Sequence, residues 1–183
     1  CTYIWLPEVS GRKFSTVLLR TPYGSQNYFL WLRKYVMRGF ALVIQDVRGR
    51  EESEGQWMPF YHERDDGSDT LEYIANQKWS NGKIGMIGGS YSGGVQWAAD
   101  SSGNDHLKAM ISIVTSGSPF EDIPRRGGAI FSGTMAWAFA MAERKMNPQN
   151  MIRDDWDQLL RHLPIKDIPL KGLGKEWTFS SKW

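Results

Sequence analysis

Short apolar segments alternate with amphipathic segments over residues 16–114, and this alternation restricts the possible folds more than any other feature. A segment without polar positions predicts a strand that is covered on both faces, as in a parallel sheet. Strands that alternate with helices indicate an α/β fold with right-handed crossovers and helices on both faces. The predicted strands cover residues 16–20, 40–45, 83–87 and 107–114, and the predicted helices cover 28–38, 66–77 and 91–101.

The alternation ends after Ser116. An alanine-, methionine- and aromatic-rich helix is predicted over 130–145, and a shorter helix over 154–163. These helices favour a helical insertion or cap over further sheet. Glycine, proline and arginine cluster between Gly117 and Gly128, so we place the boundary there. Residues 1–120 are predicted to form a partial α/β core, and residues 121–183 the start of a helical cap with an irregular tail.

Composition excludes several classes of protein. The 183 residues include 22 Lys and Arg and 20 Asp and Glu, and this balance argues against a nucleic-acid-binding surface. No apolar run reaches about 18 residues, so no membrane span is predicted. The single cysteine, Cys1, and three histidines in no ligand pattern predict no metal site. We expect no cofactor, and the cytoplasm is the default compartment because no export signal is visible.

The segment from Gly88 to Gly94 reads G-G-S-Y-S-G-G, directly between a predicted strand and a predicted helix. A nucleophile elbow needs this context, because the sharp turn holds its serine strained and exposes the hydroxyl at the sheet edge. The pattern makes Ser90 the candidate nucleophile. The backbone N–H of Tyr91 then begins the helix and points at the developing oxyanion.

The alternative for this segment is a glycine-rich turn that binds a phosphate at a helix N-terminus. A P-loop needs a lysine followed by serine or threonine after the glycines, and none is present. The glycine spacing also fits a dinucleotide-binding fingerprint poorly. These differences favour the elbow.

Tyr23 lies in a turn, residues 21–24, at the carboxyl end of the first predicted strand of the alternating pattern. Sites in parallel α/β sheets form at this edge, so the turn and the elbow belong together. The phenolic hydroxyl of Tyr23 could complete an oxyanion hole. The alternative is a tyrosine that packs on the rim with its hydroxyl in water.

The chain resembles the cocaine esterase and Xaa-Pro dipeptidyl-peptidase-like family of α/β-hydrolases. The resemblance covers roughly residues 3–120 and continues more loosely through Trp137 and residues 161–164, which are similar to the start of the family's helical cap. Four stretches carry it: residues 18–23, residues 45–50 with 53–55, residues 69–74 running on to 79–86, and residues 88–93.

The resemblance implies a truncated α/β-hydrolase sheet with the beginning of a helical cap. It implies that Ser90 is acylated, and that the Tyr91 N–H and the Tyr23 hydroxyl stabilise the oxyanion. The substrate class would be a small-molecule ester or amide. The loop that contains Asp46, Arg48 and Gly49 is interpreted as structural, a charged turn that fixes the rim near the elbow.

A serine nucleophile needs a base and an orienting carboxylate. The resemblance places both after the cap, beyond Trp183. His106 is predicted at the opposite edge of the sheet, His162 in a cap helix and His62 in a loop, so no base is assigned. We expect this chain alone to be weak or inactive. A second copy, a partner chain or a missing C-terminal part would supply the rest, and an exposed edge at strand 107–114 would favour association.

The alternative function is a non-catalytic α/β module, either a fragment or a degenerate relative that binds small acyl ligands. Reactivity of Ser90 with an acylating or phosphonylating probe separates the two functions.

Overall fold

The computed structural model describes residues 1–118 and 121–176. The chain divides into two compact units, Cys1–Thr115 and Ser116–Trp183. The sheet and helices predicted over residues 16–114 lie in the first unit. The assignment of the later residues to a helical cap stays a prediction.

The first unit is built on a five-stranded sheet in which only one neighbouring pair is antiparallel. Its strands are β1 (Thr2–Trp5), β2 (Phe14–Thr21), β3 (Ala41–Asp46), β4 (Ser80–Gly89) and β5 (Leu107–Ile113). Their order is β1-β3-β2-β4-β5; β1 is antiparallel to β3, and the other neighbours are parallel. This confirms the predicted mostly parallel sheet. Within the described residues β5 lies at an edge, and association through that edge stays a prediction.

Helices pack on both faces of this sheet. The helices of the first unit are α1 (Phe29–Val36), α2 (Glu63–Ala75) and α3 (Tyr91–Asp100). Leu32 of α1 packs against Leu19 of β2 in a core cluster on one face. Arg20 points to the opposite face from its neighbour Leu19, because successive side chains alternate along a strand, and there it contacts Glu63 of α2. The predicted placement of helices is confirmed.

Two boundaries in the first unit differ from the predictions by three residues, and the others differ by at most two. α2 begins at Glu63, three residues before the predicted start at 66. β4 begins at Ser80, three residues before the predicted start at 83. Ser80 pairs with Phe14 before a shift in register, and Gly82 has a φ of 78°, so the start of the strand is irregular.

The second unit contains short elements. Its hairpin pairs β6 (Arg125–Arg126) with β7 (Ala129–Ile130), and its helices are α4 (Ser132–Ala140), α5 (Trp156–Leu160) and α6 (Ile168–Leu173). Single 3-10 turns occur in both units, at Ser25–Asn27, Pro148–Met151 and Ile165–Asp167.

The predicted helices over 130–145 and 154–163 are wrong in length. Ile130 pairs with Arg125 in the hairpin, so α4 cannot include it. The Asn147 backbone N–H donates to the Ala140 carbonyl (2.8 Å), which satisfies a carbonyl at the end of α4 and turns the chain. α5 ends in a tightened turn, in which the His162 N–H donates to the Leu159 carbonyl at 3.0 Å.

Candidate active site

Ser90 occupies a strained turn between β4 and α3. Its backbone has φ 56° and ψ −123°, a conformation that costs about 1–3 kcal/mol in a non-glycine residue. The side chain is exposed, and β4 ends one residue before it while α3 begins one residue after it. The strand, turn and helix predicted from the sequence are present, and the turn presents the hydroxyl at the carboxyl edge of the sheet.

The elbow is held by backbone hydrogen bonds on both sides of Ser90. The Ser90 N–H donates to the Ile113 carbonyl of β5 (2.9 Å). The Ser90 carbonyl accepts from the N–H groups of Gly93 (2.9 Å) and Gly94 (3.1 Å). Behind it, the buried Gln96 side chain donates to the carbonyls of Gly88 (3.3 Å) and Ser92 (2.9 Å). The strained residue is therefore fixed by its surroundings.

Close backbone approach explains the small residues around Ser90. A Cβ at Gly88 would lie 2.5 Å from the Ser92 Cβ, closer than real Cβ atoms approach. A Cβ at Gly93 would lie 2.9 Å from the Thr115 Cβ, so Gly93 lets α3 pack on the segment that follows β5. A Cβ at Gly94 would lie 2.9 Å from the Phe60 ring, so Gly94 leaves room for that ring.

Tyr23 follows β2, the strand beside β4. Leu18 of β2 pairs with Met86 of β4. Tyr23 lies five residues after Leu18, and Ser90 lies four residues after Met86. Parallel neighbours lie about 4.8 Å apart. The two segments that carry Tyr23 and Ser90 therefore leave the same edge of the sheet side by side.

The turn around Tyr23 is anchored by the loop that was interpreted as structural. The buried Asp46 carboxylate accepts from the Ser25 N–H (2.7 Å) and the Ser25 hydroxyl (2.9 Å). The buried Arg50 donates to the Pro22 carbonyl at 3.1 Å. These contacts hold the residues on both sides of Tyr23.

Arg48 and Gly49 complete the same loop. Arg48 forms a bidentate ion pair with Asp66 of α2, with Nε 2.9 Å from Oδ2. A Cβ at Gly49 would lie 2.2 Å from the backbone nitrogen of Trp57, and Gly49 has a φ of 72°, so only glycine fits. Both residues therefore shape the loop at the carboxyl edge of the sheet.

Tyr91 contributes its side chain as well as its backbone position, a feature that the sequence reasoning missed. The ring is buried, and its hydroxyl donates to Glu63 Oε1 at 2.8 Å. The same hydroxyl accepts from Trp57 Nε1 (3.2 Å) and from the Phe60 N–H (2.9 Å). The Phe60 ring stacks on the Tyr91 ring with centroids 4.1 Å apart.

The Tyr91 hydroxyl stays protonated. Burial raises the pKa of Tyr91 well above its ordinary value, and the negative Glu63 carboxylate raises this pKa further. The Phe60 N–H and the Trp57 indole N–H act in the opposite direction, but their effect does not reverse the shift. The hydroxyl is thus available as a donor to Glu63 at any physiological pH.

Glu63 is itself paired with a buried arginine. Arg20 Nη1 lies 2.9 Å from Glu63 Oε2, and both side chains are at most 3% exposed. Arg20 also donates to the Glu63 carbonyl (3.2 Å) and to Gln45 Oε1 (2.7 Å). The sequence contains one sign of this pair, because Arg20 is a charged residue at the end of an apolar strand. Nothing in the sequence indicates its partner, because Glu63 lies 43 residues further along the chain and outside the predicted helices and strands.

Backbone strain is concentrated at this edge of the sheet. Among residues 1–118 and 121–176, positive φ in non-glycine residues occurs at four positions, each in a segment that follows a carboxyl strand end: Glu51, Phe60, Ser90 and Val114. Such strain collects at functional sites, where the surrounding structure enforces it. The distribution supports the location of the site.

The three histidines lie in different parts of the chain, and none was assigned as the general base from the sequence. His106 Nδ1 is 2.9 Å from the Gly82 carbonyl, at the amino end of β4 and β5 and opposite to Ser90. His62 is the last residue of the loop before α2, as predicted. His162 follows α5 in the second unit.

The described part of the chain lacks two kinds of feature. It contains no group of three or more His, Cys, Asp or Glu side chains arranged to hold a metal ion. None of its helices combines the length and the apolar character that a bilayer crossing requires.

A mostly parallel sheet, covered on both faces and carrying a strained serine between strand and helix at its carboxyl edge, defines an α/β-hydrolase. The family model described as X-Pro dipeptidyl-peptidase (S15 family) matches residues 2–183. The chain belongs to this family.

Individual relatives agree with this assignment. Cocaine esterase from Rhodococcus sp. (strain MB1 Bresler) is 37% identical over 119 residues, which are 62% of this chain and 21% of that protein. A CocE/NonD family hydrolase from Staphylococcus aureus is 26% identical with a TM-score of 0.70, over 91% of this chain and 36% of that chain. An aminopeptidase from a marine sediment Thaumarchaeota archaeon is 25% identical with a TM-score of 0.69, over 87% and 31%.

The chain covers less than half of the length of each of these relatives. The chain spans about a fifth of the length of the cocaine esterase and about a third of each of the two solved structures.

Proposed function

We propose that this chain carries the nucleophile and the oxyanion hole of a serine hydrolase that acts on a small ester or amide. The observation that carries the proposal is the exposed Ser90 with φ 56° and ψ −123° between β4 and α3. Membership of the S15 family and the 37% identity to a cocaine esterase support hydrolysis of an acyl compound. Esters and amides share the acyl carbon that such a serine attacks.

The proposed reaction proceeds through an acyl-enzyme. The Ser90 Oγ forms a bond to the substrate carbonyl carbon, and its proton passes to a general base. The Tyr91 N–H and the Tyr23 hydroxyl donate to the resulting oxyanion. The intermediate then expels the alcohol or amine, which takes up a proton. Water hydrolyses the ester on Ser90, releases the acid and restores the serine hydroxyl.

We assign the role of general base to none of His62, His106 and His162. His106 is bound at the amino end of the sheet, and the family resemblance places acid and base after the cap. We therefore expect slow acylation of this chain by itself, because loss of triad members costs several orders of magnitude in rate.

Acylation by an activated ester tests the proposed function. The chain is incubated with p-nitrophenyl acetate, nitrophenolate release is followed, and the acetyl group is located by peptide mass spectrometry. We expect one acetyl group on Ser90, because the elbow exposes this hydroxyl beside the proposed oxyanion donors. Release is expected to slow once this serine is acetylated.

Two variants serve as controls. Ser90→Ala should lose the acetyl group, and Ser101→Ala, at the exposed end of α3, should keep it. Folded protein that remains unacetylated at Ser90 would favour the alternative, a non-catalytic module.

A further inference from the structure

The Tyr91 hydroxyl is a buried hub that joins three parts of the first unit to the elbow. A tyrosine hydroxyl has one hydrogen to donate and two lone pairs that accept. All are used here: it donates to Glu63 (2.8 Å) and accepts from Trp57 (3.2 Å) and Phe60 (2.9 Å). Trp57 and Phe60 belong to the loop between β3 and α2, and Glu63 is the first residue of α2.

A buried arginine holds the Glu63 carboxylate to which the Tyr91 hydroxyl donates. Arg20 of β2 pairs with Glu63 at 2.9 Å, and the Glu63 carboxylate in turn holds the tyrosine hydroxyl. Hydrogen bonds to charged groups are stronger than those between neutral groups. The position of the Tyr91 ring is therefore set by β2, the β3–α2 loop and α2 together, and not by α3 alone.

Packing alone does not account for this arrangement. Phe60 stacks on the ring and its edge fills the space beside Gly94, so apolar contacts already hold the ring in place. A phenylalanine would keep those contacts without a polar atom to bury, since burying a hydroxyl is unfavourable unless it is hydrogen-bonded. The hydroxyl instead satisfies the Phe60 N–H and fixes Phe60 at its strained φ of 62°.

We propose that the Tyr91 side chain is a positioning group for the backbone N–H of the same residue, with Glu63 as the positioning residue that holds its hydroxyl. This inference rests on the proposed function, in which that N–H donates to the oxyanion. Tyr91 directly follows the strained Ser90 and begins α3. Anchoring its ring in the buried network fixes the peptide unit between the nucleophile and the helix.

Amide hydrogen exchange measured by NMR tests this inference without requiring activity. The reporters are the Ser90, Gly93 and Gly94 amides, whose hydrogen bonds define the elbow. Tyr91→Phe is expected to speed their exchange at least about tenfold, the factor for one hydrogen bond to a charged group. The amides of β3 are expected to change less, because the opening is local.

Trp57→Phe is a milder second variant, since it removes one donor to the hydroxyl and keeps an aromatic ring. It is expected to shift the same amides in the same direction, and it decides the question if Tyr91→Phe does not fold. Tyr73→Phe, an exposed tyrosine on α2, is the matched control and should leave exchange unchanged. Exchange at the elbow that is unchanged, or that rises only as much as in β3, would overturn the inference.

Acylation kinetics separate positioning from a purely structural role. Tyr91→Phe is expected to lower the saturating acylation rate roughly tenfold to a hundredfold and to leave the half-saturating ester concentration unchanged, because a misplaced donor acts on the transition state. A protein that exchanges as expected but is never acylated at Ser90 would remove the proposed function and keep the positioning role.

Discussion

Tyr23→Phe is expected to slow acylation of Ser90 by about 10²–10³-fold, the usual effect of removing one oxyanion donor. The substitution removes the phenolic hydroxyl and keeps the ring. The turn itself should persist, because it is anchored by Asp46 on Ser25 and by Arg50 on Pro22, and neither contact involves the hydroxyl. The measurement is the second-order rate constant for acylation by p-nitrophenyl acetate.

Tyr61→Phe is the matched control for this substitution. Tyr61 is 73% exposed in the β3–α2 loop, and its substitution should leave the acylation rate unchanged. Thermal unfolding of both variants should match the original chain, which separates a lost donor from a disturbed fold. Equal acylation rates for Tyr23→Phe and the original chain would remove Tyr23 from the oxyanion hole and favour a rim tyrosine with its hydroxyl in water.

Arg20→Met is expected to destabilise the first unit by about 3–5 kcal/mol, or to leave it unfolded, because the buried Glu63 carboxylate loses the arginine that balances its charge. Both side chains are at most 3% exposed, so water cannot replace the lost contact. The free energy of unfolding is measured in urea by tryptophan fluorescence.

The surface ion pair between Arg48 and Asp66 provides the comparison. Arg48 is 46% exposed, and Arg48→Met should cost no more than about 1 kcal/mol, as is usual for exposed pairs. A double variant, Arg20→Met with Glu63→Leu, should recover part of the loss because no unpaired charge remains. A loss for Arg20→Met no larger than that for Arg48→Met would contradict the buried network described above.

The four parallel strands and the three α-helices of the first unit could be predicted because local patterns determine them. The apolar runs before Arg20 and Asp46 are strands in the structure, and the serine turn lies where G-x-S-x-S-G follows a strand. Burial on both faces enforces such runs, so tertiary context and sequence pattern agree.

The hub and the lengths of the later helices depend on contacts that the sequence does not display. The Tyr91 hydroxyl meets Glu63 28 residues away, and no local pattern links a tyrosine in an elbow to the start of an earlier helix. α4 is apolar on most sides and was expected to continue to 145. It ends at Ala140 because Asn147 and Asn150 return to its last carbonyls, on Ala140 and Phe139.

Labelling with a fluorophosphonate, followed by intact mass and peptide mapping, tests the central claim that Ser90 is the nucleophile. The original chain and Ser90→Ala are compared after circular dichroism shows that both are folded. The proposed mechanism predicts one adduct, on Ser90, that forms slowly and is lost in Ser90→Ala. A folded chain that gains no adduct, or gains the same adduct in Ser90→Ala, would contradict the claim.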